Sequence, residues 1–279
     1  HHAPEPYIVA ATGTASGGNS RNAVGVLPIF GTITHRGNLL SDMSGGTSLE
    51  KATTKLREMR DNPDIGSIIL NLDSPGGAVA GVQEFAAEVV KANSIKRIVA
   101  IANTEAASAA YWIASQADEL VVSPSGEVGS IGVIGFHDDI SKALEMKGIK
   151  VTMLKAGRYK GEGWPEFPLA DETKDYWQKQ IDTIYGKFVK AVADGRGVAQ
   201  KDVRGGFGQG RMVLANEAVK LGMADRIATL DETITRLQRA TDPRKSALSA
   251  ADQRRKNFYK TDKGLSVDDE VRRATLEYI

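Results

Sequence analysis

Two apolar runs constrain this chain more than anything else in it. Ile65-Gly-Ser-Ile-Ile-Leu-Asn-Leu72 and Ile95 to Asn103 are rich in β-branched and aliphatic residues, with little polar alternation. Strands of that kind are covered on both faces, the pattern of a parallel sheet flanked by helices. Each run is broken by small residues and then followed by a helical pattern. Asp73-Ser-Pro-Gly-Gly77 precedes a helix over Val79 to Ala92, and a turn of alanines around Ser108 precedes an apolar helix. The alternation predicts right-handed β-α-β crossovers in an α/β fold with a mostly parallel sheet.

The rest of the chain extends that pattern. A first strand is expected over Ala23 to Gly31, with Pro28 marking an edge position or a bulge. Thr47 and Glu50 form a capping box for a helix whose apolar stripe is Leu49, Ala52, Leu56 and Met59, ending near Asn62-Pro63. Short strands are expected at Leu120–Ser123, after Gly126, at Val151–Leu154 and at Ala224–Ile227. Helices are expected over Asp138–Lys147, Asp171–Asp194, Leu214–Leu221 and Leu230–Leu237. Between them Ala156 to Leu169 reads as a long irregular loop with three glycines and two prolines, a length that usually marks a functional loop. Residues 1–22 read as a mobile arm and residues 240–279 as a charged tail or linker containing Arg254-Arg-Lys256, which leaves 23–239 as the folded domain.

Composition closes several classes of function. The chain has no cysteine, so disulfides, thiolate metal sites and a cysteine nucleophile are out. Its four histidines, His1, His2, His35 and His137, have no metal-ligand spacing. A formal net charge of +1 gives no field for nucleic acid or an anionic membrane. No apolar run reaches the length of a bilayer span and the start lacks a basic-then-apolar leader, so the sequence as given is expected to be soluble, without a membrane anchor or export signal.

The chemistry concentrates where two strands end. Ligands bind outside the carboxyl ends of parallel strands, and both small-residue turns fall there. Ser108 stands at a strand-to-helix junction, where orphan N–H groups and the positive helix end favour an alkoxide; the same position also suits an ordinary N-cap serine. Gly76 and Gly77 leave backbone N–H groups unshielded before a helix, and Ala109 N–H follows Ser108 directly, so both can donate to an oxyanion. A serine nucleophile also needs a base. His137, in Gly135-Phe-His-Asp-Asp139, is one candidate, although it also reads as the exposed entry to a helix. Lys160, beside Tyr159 and near Trp164 and Phe167, is the other, because an apolar setting lowers a lysine's pKa.

Four ordered motifs carry a resemblance: Asp73-Ser-Pro-Gly-Gly77, Ala106-Ala-Ser-Ala-Ala-Tyr-Trp-Ile-Ala114, Gly129-Ser-Ile-Gly-Val133 and Ala156-Gly-Arg-Tyr-Lys-Gly161. Together they resemble the signal peptide peptidase A (S49) family of serine peptidases, over about Ala23 to Leu237. The resemblance implies a ClpP/crotonase-like fold and a Ser/Lys dyad that works without cofactor or metal. It makes Ser108 the nucleophile, Lys160 the general base, Gly77 and Ala109 the oxyanion-hole donors, and Ser130 the residue that orients the lysine. Ser108-Ala-Ala departs from the Ser-Gly-Gly of many cellular members; the methyl of Ala109 narrows the pocket. With one catalytic unit and no anchor, the chain is more similar to the short soluble branch from tailed phages and prophages, the capsid assembly proteases. That branch implies a polypeptide substrate, scaffold or capsid protein, cut in the bacterial cytoplasm or inside a procapsid by a ring-shaped homo-oligomer whose dyad can be completed between subunits.

Three other readings remain at this stage: a histidine triad through His137, a crotonase-type acyl-CoA enzyme using Glu105 as acid/base on the same fold, and a non-catalytic assembly subunit. A peptidase that degrades cleaved signal peptides is a further variant of the first function.

Overall fold

The computed structural model describes residues 5–10, 23–37 and 45–239. In chain order the strands are β1 (Tyr7–Val9), β2 (Ala23–Phe30), β3 (Ile33–Thr34), β4 (Thr47–Ser48), β5 (Ile65–Ser74), β6 (Arg97–Ala107), β7 (Glu119–Val122), β8 (Glu127–Gly129), β9 (Met212–Leu214) and β10 (Arg226–Ile227). The α-helices are α1 (Leu49–Asp61), α2 (Val82–Asn93), α3 (Ala109–Ala114), α4 (Ser141–Met146), α5 (Asp171–Arg196), α6 (Gln200–Gly206), α7 (Ala215–Leu221) and α8 (Leu230–Arg239). Two compact units result: a sheet unit, made of the chain up to Ile131 and from Phe188 onward, and the segment Gly132–Lys187.

In the sheet unit the strands run in the order β1-β2-β5-β6-β7-β10, with β8 joining the end of β6 and β9 pairing with β8. All neighbours are parallel except β1 with β2 and β8 with β9. The mostly parallel α/β sheet is thus as expected. Its centre is β5 and β6, where Ile68, Ile69, Leu70, Ile98, Val99 and Ala100 are all withdrawn from water. On one face α8 sets Ile234 and Leu237 against Val24, Val26, Ile69, Val99, Ile101 and Val121. α1 and α2 pack against β2, β5 and β6, contributing Leu56, Phe85 and Val89 as buried side chains.

Two ionic arrangements fix the periphery of this unit. The buried Glu119 carboxylate at the start of β7 accepts from Arg97 at 2.7 Å, Arg226 at 2.9 Å and Arg236 of α8 at 2.9 Å. The fully buried Arg196, at the end of α5, pairs with Asp225 through two bonds of 2.9 and 3.0 Å and also donates to Gly222 O. Burial works against the Arg196 charge, and the attraction and hydrogen bonds of Asp225 outweigh it, so its pKa is raised.

Several local expectations give way to the fold. Residues 7–9, placed in a mobile arm, form a strand on β2, covering Val24 to Val26; Pro28 lies beyond that pairing and keeps a partner only in Asn71 of β5. The capping box shifts by one residue. Thr47 Oγ1 is taken by the backbone of Phe30, both donating to its O and accepting from its N at 2.8 Å, so Ser48 caps α1. The helix expected from Val79 begins at Val82, and the one expected from Asp138 runs only over Ser141–Met146. No strand forms at 151–154, because no other strand of the described residues lies beside it to complete its backbone hydrogen bonds. Residues 1–4, 11–22, 38–44 and 240–279 lie outside the described residues, and with them the rest of the expected arm and the tail.

Within Gly132–Lys187, α4 buries none of its residues. Ile140 N donates to Pro165 O at 2.8 Å, tying the start of α4 to the long loop. The first part of α5 supplies Trp177, whose ring lies where a Cβ on Gly163 would stand. Leu154 is 93% exposed, Met146 84%, Phe136 81% and Ile134 79%.

Candidate active site

β6 ends at Ala107, a single turn residue, Ser108, follows, and α3 starts at Ala109. Ser108 has φ 50° and ψ −120°, a conformation that costs a non-glycine residue about 1–3 kcal/mol. The surrounding backbone holds it there: Ser108 N donates to Gly129 O at 2.9 Å, and Ser108 O accepts from Trp112 N at 3.0 Å. The side chain makes no capping hydrogen bond. Ser108 stands at the N-cap position of α3 without a side-chain cap, so its hydroxyl does not serve the N–H groups that a cap would.

Strand pairing then brings the glycine turn to the serine. β5 lies beside β6, with Ser74 opposite Ala106. Ser74 Oγ donates to Gly31 O at 2.6 Å and accepts from Gly76 N at 3.1 Å. Ile33 N donates to Gly76 O, and Ala78 N to Ile33 O. The Gly77 N–H takes no part in these bonds. A Cβ on Gly76 would stand 2.7 Å from the Ser108 Cβ and 2.8 Å from Ala107 O, at a φ of 96°; one on Gly77 would overlap the Ile33 backbone. The close approach of this turn to Ser108 thus requires glycine at position 76, and its approach to Ile33 requires glycine at position 77. Ala109 N–H is the first of α3 and has no acceptor within the helix. The turn, at Gly76, thus lies against Ser108 and the start of α3.

Ser130 enters the same unit through β8. Glu127, Val128 and Gly129 pair with Glu105, Ala106 and Ala107, and Ser130 follows with φ 53° and its N–H on Arg211 O at 3.0 Å. Ser108 and Ser130 are thus two positive-φ serines joined through Gly129. A third group lies just upstream. Glu105 has its pKa raised, first by burial and then by the carboxylates of Asp73 and Glu127.

The candidate bases lie in Gly132–Lys187. Lys160 sits in a series of turns, its N–H on Gly157 O at 3.2 Å. The turns are clipped to the start of α5: Arg158 and Tyr159 both reach Glu172 at 3.1 Å, and Thr173 donates to Glu162 at 2.9 Å. Lys160 itself is exposed, as are Tyr159 and Trp164. The apolar setting expected around it is not supplied by these neighbours, since Tyr159 turns its hydroxyl to Glu172. His137 departs from the exposed position expected of it: its Nε2 is buried without a hydrogen-bond partner, and its ring lies 6.3 Å from that of Trp177.

The structure thus gathers Ser108, Gly77, Ala109 and Ser130 in the sheet unit and places Lys160 on a clipped loop of the other. What the sequence did not reveal is the strain at Ser108 and Ser130, since serine at positive φ leaves no composition signal. Nor, apart from Glu105, did it single out the neighbouring carboxylates, although Asp73, Glu105 and Glu127 each stand three residues before Gly76, Ser108 and Ser130.

Comparison with known proteins bears on this arrangement. The family model for Peptidase family S49 matches residues 91–243. The capsid assembly protease C of Escherichia phage lambda is 31% identical over 228 residues, covering 82% of this chain and 52% of the phage protein. The head-tail preconnector protein GP5 of Enterobacteria phage P21 is 27% identical, over 77% of this chain and 42% of its own length. Protease 4 of Haemophilus influenzae is 25% identical, over 81% and 36%. The chain spans about half the length, or less, of these relatives.

Proposed function

Since the chain belongs to peptidase family S49, with the ClpP/crotonase-like α/β fold expected of it, we propose that it is a serine endopeptidase with a Ser108/Lys160 dyad. Lys160 accepts the Ser108 proton as Oγ attacks a peptide carbonyl. The Gly77 and Ala109 N–H groups hold the oxyanion of the tetrahedral intermediate. The lysine then gives its proton to the leaving amine, and the resulting acyl-enzyme is hydrolysed by a water that the same lysine deprotonates. Ser130 orients the lysine. No step needs a cofactor or metal. The observation that carries the reading is the strained Ser108, uncapped and pressed against the Gly76-Gly77 turn.

The natural substrate is a polypeptide of phage head assembly, scaffold or capsid protein, and the setting is the host cytoplasm or a procapsid. The named similarity to the lambda capsid assembly protease and the P21 head-tail preconnector supports this. No helix among the described residues is long and apolar enough to cross a membrane. The working form is a ring-shaped homo-oligomer. Its support is the exposure of four large apolar side chains, Ile134, Phe136, Met146 and Leu154, within one segment of the chain. A neighbouring copy that covers this surface also supplies the apolar setting that Lys160 needs.

The test is cleavage of an unfolded protein by the full chain and three variants. Ser108→Ala and Lys160→Ala each lower the rate by at least about 1000-fold, while His137→Ala retains it. An active Lys160→Ala with an inactive His137→Ala transfers the role of base to the histidine. Mixing the two inactive dyad variants restores part of the activity if the dyad forms between subunits.

A further inference from the structure

At the starts of the parallel strands, the opposite end of β6 from Ser108, one carboxylate faces three guanidiniums. Arg97 opens β6, Glu119 opens β7 and Arg226 opens β10. Val99 is paired with Glu119, and Val121 with Arg226, so alternation sets Arg97, Glu119 and Arg226 on the face that carries Val99 and Val121. That face is the one α8 covers with Ile234 and Leu237, and Arg236 of α8 reaches the same carboxylate. Glu119 Oε1 lies 2.9 Å from both Arg226 Nε and Arg236 Nη2, and Oε2 lies 2.7 Å from Arg97 Nη2 and 2.9 Å from Arg236 Nη2.

This cluster is short of negative charge and of acceptors. A guanidinium stays protonated at any working pH, so among these residues three positive charges meet one negative charge, an excess of two. The carboxylates next in the chain serve other groups: Asp118 accepts from Ile98 N, and Asp225 holds Arg196 and the Leu120 N–H. The pKa of Arg236 is lowered, first by burial, with Glu119 opposing the fall and Arg226 and Arg97 adding to it. A second observation concerns Arg97, whose side chain is only 8% exposed. Elsewhere Arg57 grips Glu88, and Arg60 grips Asp61, through Nε and Nη2 together. Arg97 gives Glu119 only its Nη2, and its buried Nε has no acceptor among the described residues, a costly omission. Glu119, shared with two more arginines, does not close the fork. Arg226 and Arg236 are 48% and 32% exposed, so the cluster is open to solvent on their side.

We propose that Arg226 and Arg236, backed by Arg97 and Glu119, form a binding site for a divalent oxyanion of the phosphate class, either free phosphate or a small phosphomonoester. Two uncompensated charges match a dianion better than a single carboxylate, and guanidinium forks match phosphate oxygens. With the anion on Arg226 and Arg236, Glu119 turns to Arg97 and takes Nε and Nη2 together. The site stands about 30 Å from Ser108 along β6 and does not depend on the peptidase reading. Because it joins α8 to β6, β7 and β10, its occupation stabilises the sheet unit by linkage.

The test is calorimetric titration of the full chain with sodium phosphate and with glycerol phosphate, at slightly alkaline pH and constant ionic strength. The expected result is saturable one-to-one binding of phosphate, weakened at least about tenfold in Arg226→Gln and in Arg236→Gln, and lost in the double variant. The thermal midpoint of the unsubstituted chain should rise with phosphate more than with sodium chloride of equal ionic strength, and that of the double variant should not. Each single substitution removes a repelling charge from a partly exposed position, so the single variants carry the test if the double variant does not fold. Binding of both probes assigns the site to a terminal phosphoryl group, and binding of phosphate alone assigns it to the free ion. Absence of saturable binding of either probe, or binding as tight in the arginine variants as in the unsubstituted chain, overturns the proposal.

Discussion

In the sheet unit Ile68, Ile69, Leu70 and Val99 are fully withdrawn from water, whereas in Gly132–Lys187 Ile134, Phe136, Met146 and Leu154 stand open to it. The two regions have similar raw material, aliphatic residues interrupted by glycine, and use it differently. The sheet unit closes a core with its own helices. It can therefore hold Ser108 and Ser130 at φ values that cost energy, because many buried contacts over-determine the backbone. The segment around Lys160 buries little and orders its loop through polar clips, Arg158 and Tyr159 to Glu172 and Thr173 to Glu162. One region holds a strained serine with its own buried contacts; the other carries Lys160, the base of the proposed dyad, on an exposed loop.

The contrast can be broken in stability measurements. The largest effect belongs to the buried ion pair of the sheet unit: Arg196→Met takes the guanidinium from the buried Asp225 carboxylate, which keeps the Leu120 N–H at 2.8 Å, and should lower unfolding free energy by about 3–5 kcal/mol, measured by chemical denaturation. Ser108→Gly removes the strain at φ 50° and should raise stability by about 1 kcal/mol, while abolishing cleavage; an unchanged or lower midpoint would show that the backbone there is not strained. Replacing Phe136 and Leu154 together by Ser should change the unfolding midpoint of the isolated chain by no more than about 0.5 kcal/mol per site, yet lower the mass of the assembly seen by light scattering. A large loss of stability with unchanged mass would mean that these side chains serve the fold of the single chain.

The smallest effect is pH-dependent. The Glu105 carboxyl is raised by burial, Asp73 and Glu127, so the folded state binds its proton more tightly than the unfolded state does. That contribution is present below the ordinary carboxylate value and is lost as pH rises through the raised one. Glu105→Gln should therefore stabilise the protein at neutral pH by about 0.2–1 kcal/mol, with the difference shrinking as the solution is acidified. A gain that persists at low pH would put its origin elsewhere.

The same contrast explains what could be read from the sequence. Ile65–Ser74 and Arg97–Ala107 were legible because their apolar runs match a sheet covered on both faces. Val151-Thr-Met-Leu154 has a similar local pattern and forms no strand, since pairing is a tertiary event that composition does not encode. β1 and β9 were missed for the opposite reason: each is a three-residue strand made by its neighbour. At the site, the serine, the two glycines and the lysine were visible as residue types at suggestive places. The positive φ of Ser108 and Ser130 was not, because it is imposed by Gly129, Arg211 and the strand register.

The central claim, that Ser108 is a nucleophile activated by Lys160, is tested most directly by labelling the full chain with a fluorophosphonate and locating the adduct by peptide mass spectrometry. The account predicts a single adduct on Ser108, absent in Ser108→Ala and formed far more slowly in Lys160→Ala. A chain that takes no label, takes it on another serine, or labels equally fast without Lys160 would contradict it.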